Sequence, residues 1–348
     1  MMFGGYTVFP PLINAHDHLE LNHYPRTKFR DRYDNAHQWG EDVNTRLNQP
    51  PFLELRAYPL QDRLFIGGLK NLLCGALIVA HHNPPHPQLF KRDYPVHVIS
   101  RYGWSHSLKF AGTSEIQTAY RKTPTAAPWI IHLAEGTDDI AQAEYSQLKA
   151  LGCASEKTVI VHGVGLSPQD QADAARRIRG LIWCPTTNDY LLGHTASTGT
   201  WLSNGGRLAL GSDSRLTADG DLLAEINTAC KLLPPDCLPR LSASLDAAVI
   251  LGIAPPNISS GDYFVAAQFP KCRSEIALIV RRNTPLIGEP DLFRNFPDVK
   301  TVPALLDGVP KAINLKLARQ IAACSLKEPG LEIAELPRSR RAWFPKTR

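Results

Sequence analysis

Short apolar runs rich in β-branched residues recur along the first two-thirds of the chain, separated by amphipathic or polar stretches. The runs are "TVFPPLI" (7–13), "GALIVA" (75–80), "VHVIS" (96–100), "PWII" (128–131), "KTVIV" (157–161), "GLIWC" (180–184) and "RLALG" (207–211). Near-continuous apolar runs of this length predict strands buried on both faces. Between them, "DDIAQAEYSQLKALG" (138–152) predicts a helix with Ile140, Tyr145, Leu148 and Leu151 on one face and Gly152 at its end. In "SPQDQADAARRIR" (167–179), Ser167 is the expected N-cap and Pro168 the first helical residue. Such alternation predicts a parallel sheet covered by helices. Seven strands are legible where a closed (β/α)8 barrel needs eight, and the missing one is expected between Arg101 and Pro128, near "GWSHSLKF".

Residues 29–70 are polar and aromatic and predict a long loop and helices that cover the active face. From about residue 258 the pattern changes. "GDYFVAAQF", "EIALIVRR", "TVPALLDGVP" and "INLKLARQI" predict a small, mostly antiparallel appendage ending in a helix. The expected fold class is α/β: a (β/α)8 TIM-type barrel over residues 10–255, a small, reduced β-rich appendage from 1–9 and 256–330, and a basic tail over 331–348.

Composition narrows the function. The 348 residues are 43% hydrophobic and 20% charged, as in an ordinary globular protein with a large core. Lysine and arginine number 38 against 33 acidic residues, a net of +5, and much of the excess sits in "PRSRRAWFPKTR" at the C-terminus. A nucleic-acid footprint needs a basic stripe across the folded body, and none is visible. No apolar run reaches membrane-spanning length, and "MMFGGYTVFPPL" lacks the pattern of a signal peptide. The expected partner is therefore a small molecule, not nucleic acid or a membrane; a homodimer is compatible with the chain. Cys74, Cys153, Cys184, Cys230, Cys237, Cys272 and Cys324 are scattered, odd in number and without a C-x-x-C pair. They predict buried thiols in a reducing cytoplasm, not a disulfide framework.

Candidate chemistry gathers where the strands end. In "INAHDHLEL" (13–21), strand alternation points His16 and His18 the same way and Asp17 the other. Such a pair can grip one metal ion; alone it is also an ordinary surface or hydrogen-bonded pair. Later strands run into "IIHLAEG" (His132, Glu135), "VIVHGVG" (His162), "WCPTTNDYLLG" and "LALGSDS" (Asp213). Ionisable residues at the C-terminal ends of several strands are what a (β/α) barrel uses to build an active site. Any one of them, alone, is a helix start, a core histidine or a turn aspartate.

In this order, "NAHDH", "HLAE", "VHG", "CPTTN" and "GSDS" resemble the motifs of the amidohydrolase superfamily. Within it they resemble the mononuclear branch of cytosine, guanine and S-adenosylhomocysteine deaminases and triazine hydrolases. The resemblance runs from about Pro10 to Gly252 and more faintly to about Gly308. It implies that His16, His18, His132 and Asp213 ligate one divalent ion, Zn²⁺ or alternatively Fe²⁺. It implies three catalytic residues: Asp213 as a proton acceptor, Glu135 as a proton shuttle to a ring nitrogen and the leaving group, and His162 as a hydrogen-bonding partner of the attacking oxygen. Ser212 and Ser214 are expected to tether Asp213. His106, Trp104, Arg101 and Asn188, with Thr186, are the expected substrate contacts; His81 and His82 shape the pocket or orient the ligands, and His86 belongs to a loop. Two departures bear on the substrate: only about a dozen residues precede the histidine pair, and the stretch from His18 to His132 is short for the branch. No lysine ends a middle strand where a carboxylated bridge would need one, which argues for a single ion. The implied activity is hydrolytic deamination of an amino-substituted heterocycle. Hydrolysis of an amide, a cyclic amide or a ring halide at the same site is the alternative, and a non-catalytic barrel scaffold is a third reading.

Overall fold

The first apolar run is two strands. Pro10 and Pro11 offer no N–H for a ladder, and they separate β2 (Tyr6–Phe9) from β3 (Leu12–Asp17). With β1 (Met2–Phe3), β2 joins an antiparallel sheet, while β3 pairs in parallel with β4 (Ala76–His81). The computed structural model describes residues 2–3, 5–233 and 245–337. Cys237 and the basic tail beyond residue 337 lie outside the described residues.

Eight parallel strands follow in two sheets. One holds β3, β4 and β5 (His97–Val98). The other holds β6 (Gly103–Ser107), β7 (Trp129–Leu133), β8 (Thr158–His162), β9 (Gly180–Trp183) and β10 (Leu208–Leu210), in that spatial order. The strand expected between Arg101 and Pro128 is β6. The chain leaving β10 returns to β3: the Asp213 amide donates to the His16 carbonyl at 3.0 Å. Gly211 permits this approach, because a Cβ there would lie 2.6 Å from Cβ of His16.

Side chains alternate along these strands. Ile13, Ala15, Ile130, Val159, Val161, Ile182 and Ala209 pack into one cluster. Leu12, Trp129, Ile131, Ile160, Leu181, Trp183 and Leu208 join the larger cluster with the helices. Both faces are therefore buried, which is why the strands read as unbroken apolar runs.

After β3 come α1 (Ala36–Asn44), α2 (Phe52–Ala57) and α3 (Leu60–Leu73). Next are α4 (Thr113–Lys122), α5 (Asp139–Ala150) and α6 (Pro168–Arg177), the last capped by the Ser167 hydroxyl, which accepts from the Asp170 amide. In α5 the buried face differs from the expected one. Ile140 is 57% exposed, and Ala141, Glu144, Tyr145 and Leu148 are buried. Their i, i+3, i+4, i+7 spacing matches the helical repeat, whereas Ile140 lies five residues before Tyr145. α7 (Pro185–Leu192), α8 (Thr198–Ser203), α9 (Leu222–Leu232) and α10 (Leu245–Leu251) complete this part.

The antiparallel sheet runs in spatial order β1, β2, β11 (Tyr263–Ala266), β12 (Ile276–Arg281), β13 (Thr284–Gly288), β15 (Val309–Asn314), β14 (Thr301–Leu306) and β16 (Leu331–Ile333). Its hairpins turn through positive φ at Arg282–Asn283 and Asp307–Gly308, the geometry that matches strand twist. The segment does not end on the helix α11 (Leu315–Ala323), as the sequence pattern suggested, because β16 follows it. Arg273 and Arg215 both bond the buried Glu328, tying the end of this segment to the loop after β10. No described helix is long and apolar enough to cross a membrane.

Candidate metal centre and cavity

His16 is the penultimate residue of β3 and His18 follows its last residue, so both imidazoles leave the same face. His132, near the end of β7, and Asp213, just after β10, meet them there. His132 Nε2 lies 3.2 Å from His16 Nε2 and 3.3 Å from His18 Nε2. Asp213 Oδ1 lies 3.7 and 3.5 Å from the same two nitrogens. A tetrahedral ion with bonds of about 2.0–2.1 Å requires donors roughly 3.3 Å apart, so these four separations fit such an ion; two triads that share His16 are spaced to hold one, His16 with His18 and Asp213, and His16 with His132 and His162.

Hydrogen bonds behind the donors fix which nitrogen is free. His132 Nδ1 donates to the His106 carbonyl at 2.9 Å, leaving Nε2 with its lone pair. His82 Nε2 donates to the Ser105 carbonyl at 2.9 Å, so its Nδ1 accepts from His16 Nδ1 at 3.2 Å. That leaves His16 Nε2 free as well. His82 is thus the orienting partner of a candidate ligand. His162 is the opposite case. The Asn188 amide donates to its Nδ1 at 2.9 Å, which places the ring proton on Nε2. That Nε2 lies 3.4 Å from Glu135 Oε2.

The electrostatics agree with these roles. Burial lowers the pKa of His16 and of His132, keeping both neutral as ligation requires. Burial also takes His162 down to about 3 and His106 down to about 4. Burial works against the Asp213 carboxylate, yet its surroundings, His16 foremost, lower its pKa overall, and two hydroxyls donate to it. Glu135 is pushed well above the usual carboxylate range, first by burial and then by the negative charges of Asp213 and Glu144. Ala134, His162 and Asp213 have φ of 54°, 75° and 48°, rare for side chains larger than glycine; such backbone is held at functional sites by its surroundings.

Ser212 Oγ reaches only the backbone carbonyl of Asp213, at 3.4 Å, and other hydroxyls hold its carboxylate. Thr187 Oγ1 and Thr217 Oγ1 donate to its Oδ2 at 3.1 and 3.0 Å. Ser212 instead joins a network behind β3, because Asp17 points away from the histidines. There Asp17 Oδ2 is 3.0 Å from Lys70 Nζ and accepts from Asn71 at 2.6 Å, and Lys70 Nζ donates to Ser212 Oγ at 2.9 Å. All four side chains are buried.

Above the donors lies a cavity of about 400 Å³. His18, His132, Glu135, His162 and Asp213 face it from below, and Leu21, Tyr24, Trp39, Val43, Leu47 and Phe52 from the segment that carries α1 and α2. Phe110, Leu191, Leu216, Ser214, His37 and Glu144 also line it. Of the expected substrate contacts, His106 is on this wall. Arg101 and Trp104 are not: Arg101 precedes β6, at the end of the strand away from the donors, and Trp104 packs edge-on against His82 at 5.5 Å. Asn188 is turned to His162, and Thr186 to the buried Glu225, which accepts from both its amide and its hydroxyl. His81 sits behind the donors, accepting from the Leu19 amide, and His86 caps a short loop turn.

The cap is stitched to the loop that carries Glu135. The Ala36 amide donates to the Glu135 carbonyl at 2.8 Å, the Thr137 amide to the Asp34 carbonyl at 2.7 Å, and Asn35 Nδ2 to Asp138 Oδ2 at 2.6 Å. Sequence reasoning missed Trp39, Phe52, Phe110 and Glu144 in the cavity, since no strand register marks them.

No protein-family model and no curated protein matches the sequence. Solved structures do share the fold. An adenosine deaminase from Xanthomonas campestris with bound zinc is 13% identical, with a TM-score of 0.62, over 81% of this chain and 80% of its own. An atrazine chlorohydrolase from Arthrobacter aurescens complexed with zinc is 13% identical, with a TM-score of 0.64, over 81% of this chain and 84% of its own. An aminofutalosine deaminase from Helicobacter pylori is 16% identical, with a TM-score of 0.53, over 81% of this chain and 87% of its own.

Proposed function

We propose that the eight parallel strands close into a (β/α)8 barrel, and that the chain is a metal-dependent hydrolase of carbon–nitrogen bonds that deaminates an amino-substituted heterocycle. His16, His18, His132 and Asp213 hold one divalent ion, Zn²⁺ or alternatively Fe²⁺. When bound, that ion supplies Lewis-acid activation of a water. The observation that carries the reading is the approach of His132 and Asp213 to the His16 and His18 imidazoles beneath a cavity that also receives Glu135 and His162.

The protein's own groups divide the work. Glu135, whose proton affinity burial raises well above that of an ordinary carboxylate, faces the cavity, where it can give a proton to a ring nitrogen. His162 offers an N–H fixed by Asn188 and stabilises an oxygen that gains charge. Asp213, held ionised, accepts a proton. Trp39, Phe52 and the other apolar walls exclude bulk water. The zinc adenosine deaminase and aminofutalosine deaminase that share the fold support this reading. The atrazine chlorohydrolase supports a second one, in which the same groups displace a ring halide. The six described cysteines are free thiols, which suits a reducing cytoplasm, although Cys230 and Cys272 are exposed where buried thiols were expected.

Zinc-supplemented protein incubated with purines, pyrimidines, pterins and triazines should release ammonia from at least one. Chloride release from chlorinated rings, without ammonia from amino rings, would favour the second reading. Release of neither would contradict both.

A further inference from the structure

Away from the donor atoms the cavity is mostly apolar and aromatic, and its remaining ionisable groups are acids and imidazoles, with His37 facing Glu144. Glu135, Glu144 and Asp213 line it, and no lysine or arginine does among the described residues. A phosphate or carboxylate on a ligand seated against Leu21, Tyr24, Trp39, Val43, Leu47 and Phe52 would find no lysine or arginine to pair with. Unpaired buried charge is strongly disfavoured. An uncharged ring with alkyl or aryl substituents meets these walls at no such cost.

One acceptor on this wall makes no hydrogen bond. Glu144 is only 3% exposed. Its Oε2 accepts from the Ala134 amide at 2.5 Å. Its Oε1 lies 3.1 Å from His37 Nε2, yet at an orientation that makes no hydrogen bond, so this oxygen has no hydrogen-bond partner. A buried carboxylate oxygen paired only by charge retains the capacity to accept a hydrogen bond. The cavity it lines is where a ligand could bring a donor.

We propose that the cavity selects an uncharged, flat heterocycle bearing apolar substituents, and that Glu144 determines specificity by accepting a hydrogen bond from an N–H of that ring or of its amino group. This rests on the reading of the site as a hydrolytic centre and deepens it by naming the substrate class.

Matched probes test it on the zinc-supplemented full chain. Equilibrium dialysis would compare 9-butyladenine, 9-(3-carboxypropyl)adenine and 9-butylpurine, together with the butyl and carboxypropyl forms of a diaminotriazine. The butyl amino rings should bind, and their carboxylates about a hundredfold more weakly. E144Q keeps an oxygen for the Ala134 amide and turns a donor toward the ligand. It should weaken 9-butyladenine about tenfold and leave 9-butylpurine unchanged. The proposal is overturned if the carboxylates bind within a few-fold of the butyl rings, if neither butyl amino ring binds, or if E144Q weakens both purines alike. Ammonia measured in the same samples separates the two levels: a butyl ring that binds without release counts against the hydrolytic reading and leaves the cavity's selectivity standing.

Discussion

The floor and the roof of the cavity are built on opposite principles. The floor is polar, and nearly every side chain in it is held by a second one: His16 by His82, His132 by a carbonyl, His162 by Asn188, Asp213 by two threonines. It stands on the ends of β3, β7, β8 and β10, and strands hold such positions rigidly. The roof is mostly apolar, comes largely from one excursion between β3 and α3, and is bonded to the floor's loops at the Asp34–Ala36 seam beside Glu135 and through Arg26, Thr27 and Tyr33 to the segments after β9 and β10. The difference teaches a division of labour. The floor fixes what chemistry is available, and the roof decides which molecule meets it.

Substitutions should therefore fall into separate classes. The largest effect is expected from His16→Ala or His132→Ala, each removing one donor of the four. Bound metal and turnover should vanish together, as elemental analysis and an ammonia assay would show. A variant that lost turnover with full metal would move that histidine out of the donor set. Glu135→Gln should lower turnover by about 10²–10⁴-fold with metal content unchanged. Activity within a few-fold of wild type would remove Glu135 from proton transfer.

Behind the floor the effect should be on stability. Lys70→Met leaves the buried Asp17 carboxylate without its cation and should cost about 3–5 kcal/mol in urea denaturation. Asp17→Asn should likewise destabilise the fold while retaining the metal. If Asp17→Asn loses the metal while His16→Ala keeps it, the register of β3 is wrong. The smallest effect belongs to the roof: Trp39→Leu should raise KM about tenfold at constant metal content. A matching fall in metal content would mean that roof and floor are not separable.

This same division decided what could be read from the sequence. The floor was legible because strand periodicity converts letters into directions: two histidines two apart must share a face, and Asp17 between them must not. The eighth strand, "GWSHS", was short and polar and showed only as a gap in the pattern. The roof was not legible, because Leu21, Trp39 and Phe52 come from irregular chain and short helices with no shared repeat. Glu144 was hidden by Ile140, an apolar residue that looked like part of the buried face and is exposed. Lys70 was invisible for a similar reason. Its partner sits on a different element, and a lysine inside an apolar helix gives no sign of which carboxylate neutralises it.

The most direct test of the central claim is anomalous scattering at the zinc edge from crystals of zinc-supplemented protein, with elemental analysis of the same preparation. One ion per chain is expected, bonded to His16 Nε2, His18 Nε2, His132 Nε2 and Asp213 Oδ1, with His162 Nε2 outside the coordination sphere. Two ions, no ion, or an ion bonded to His162 would contradict the account.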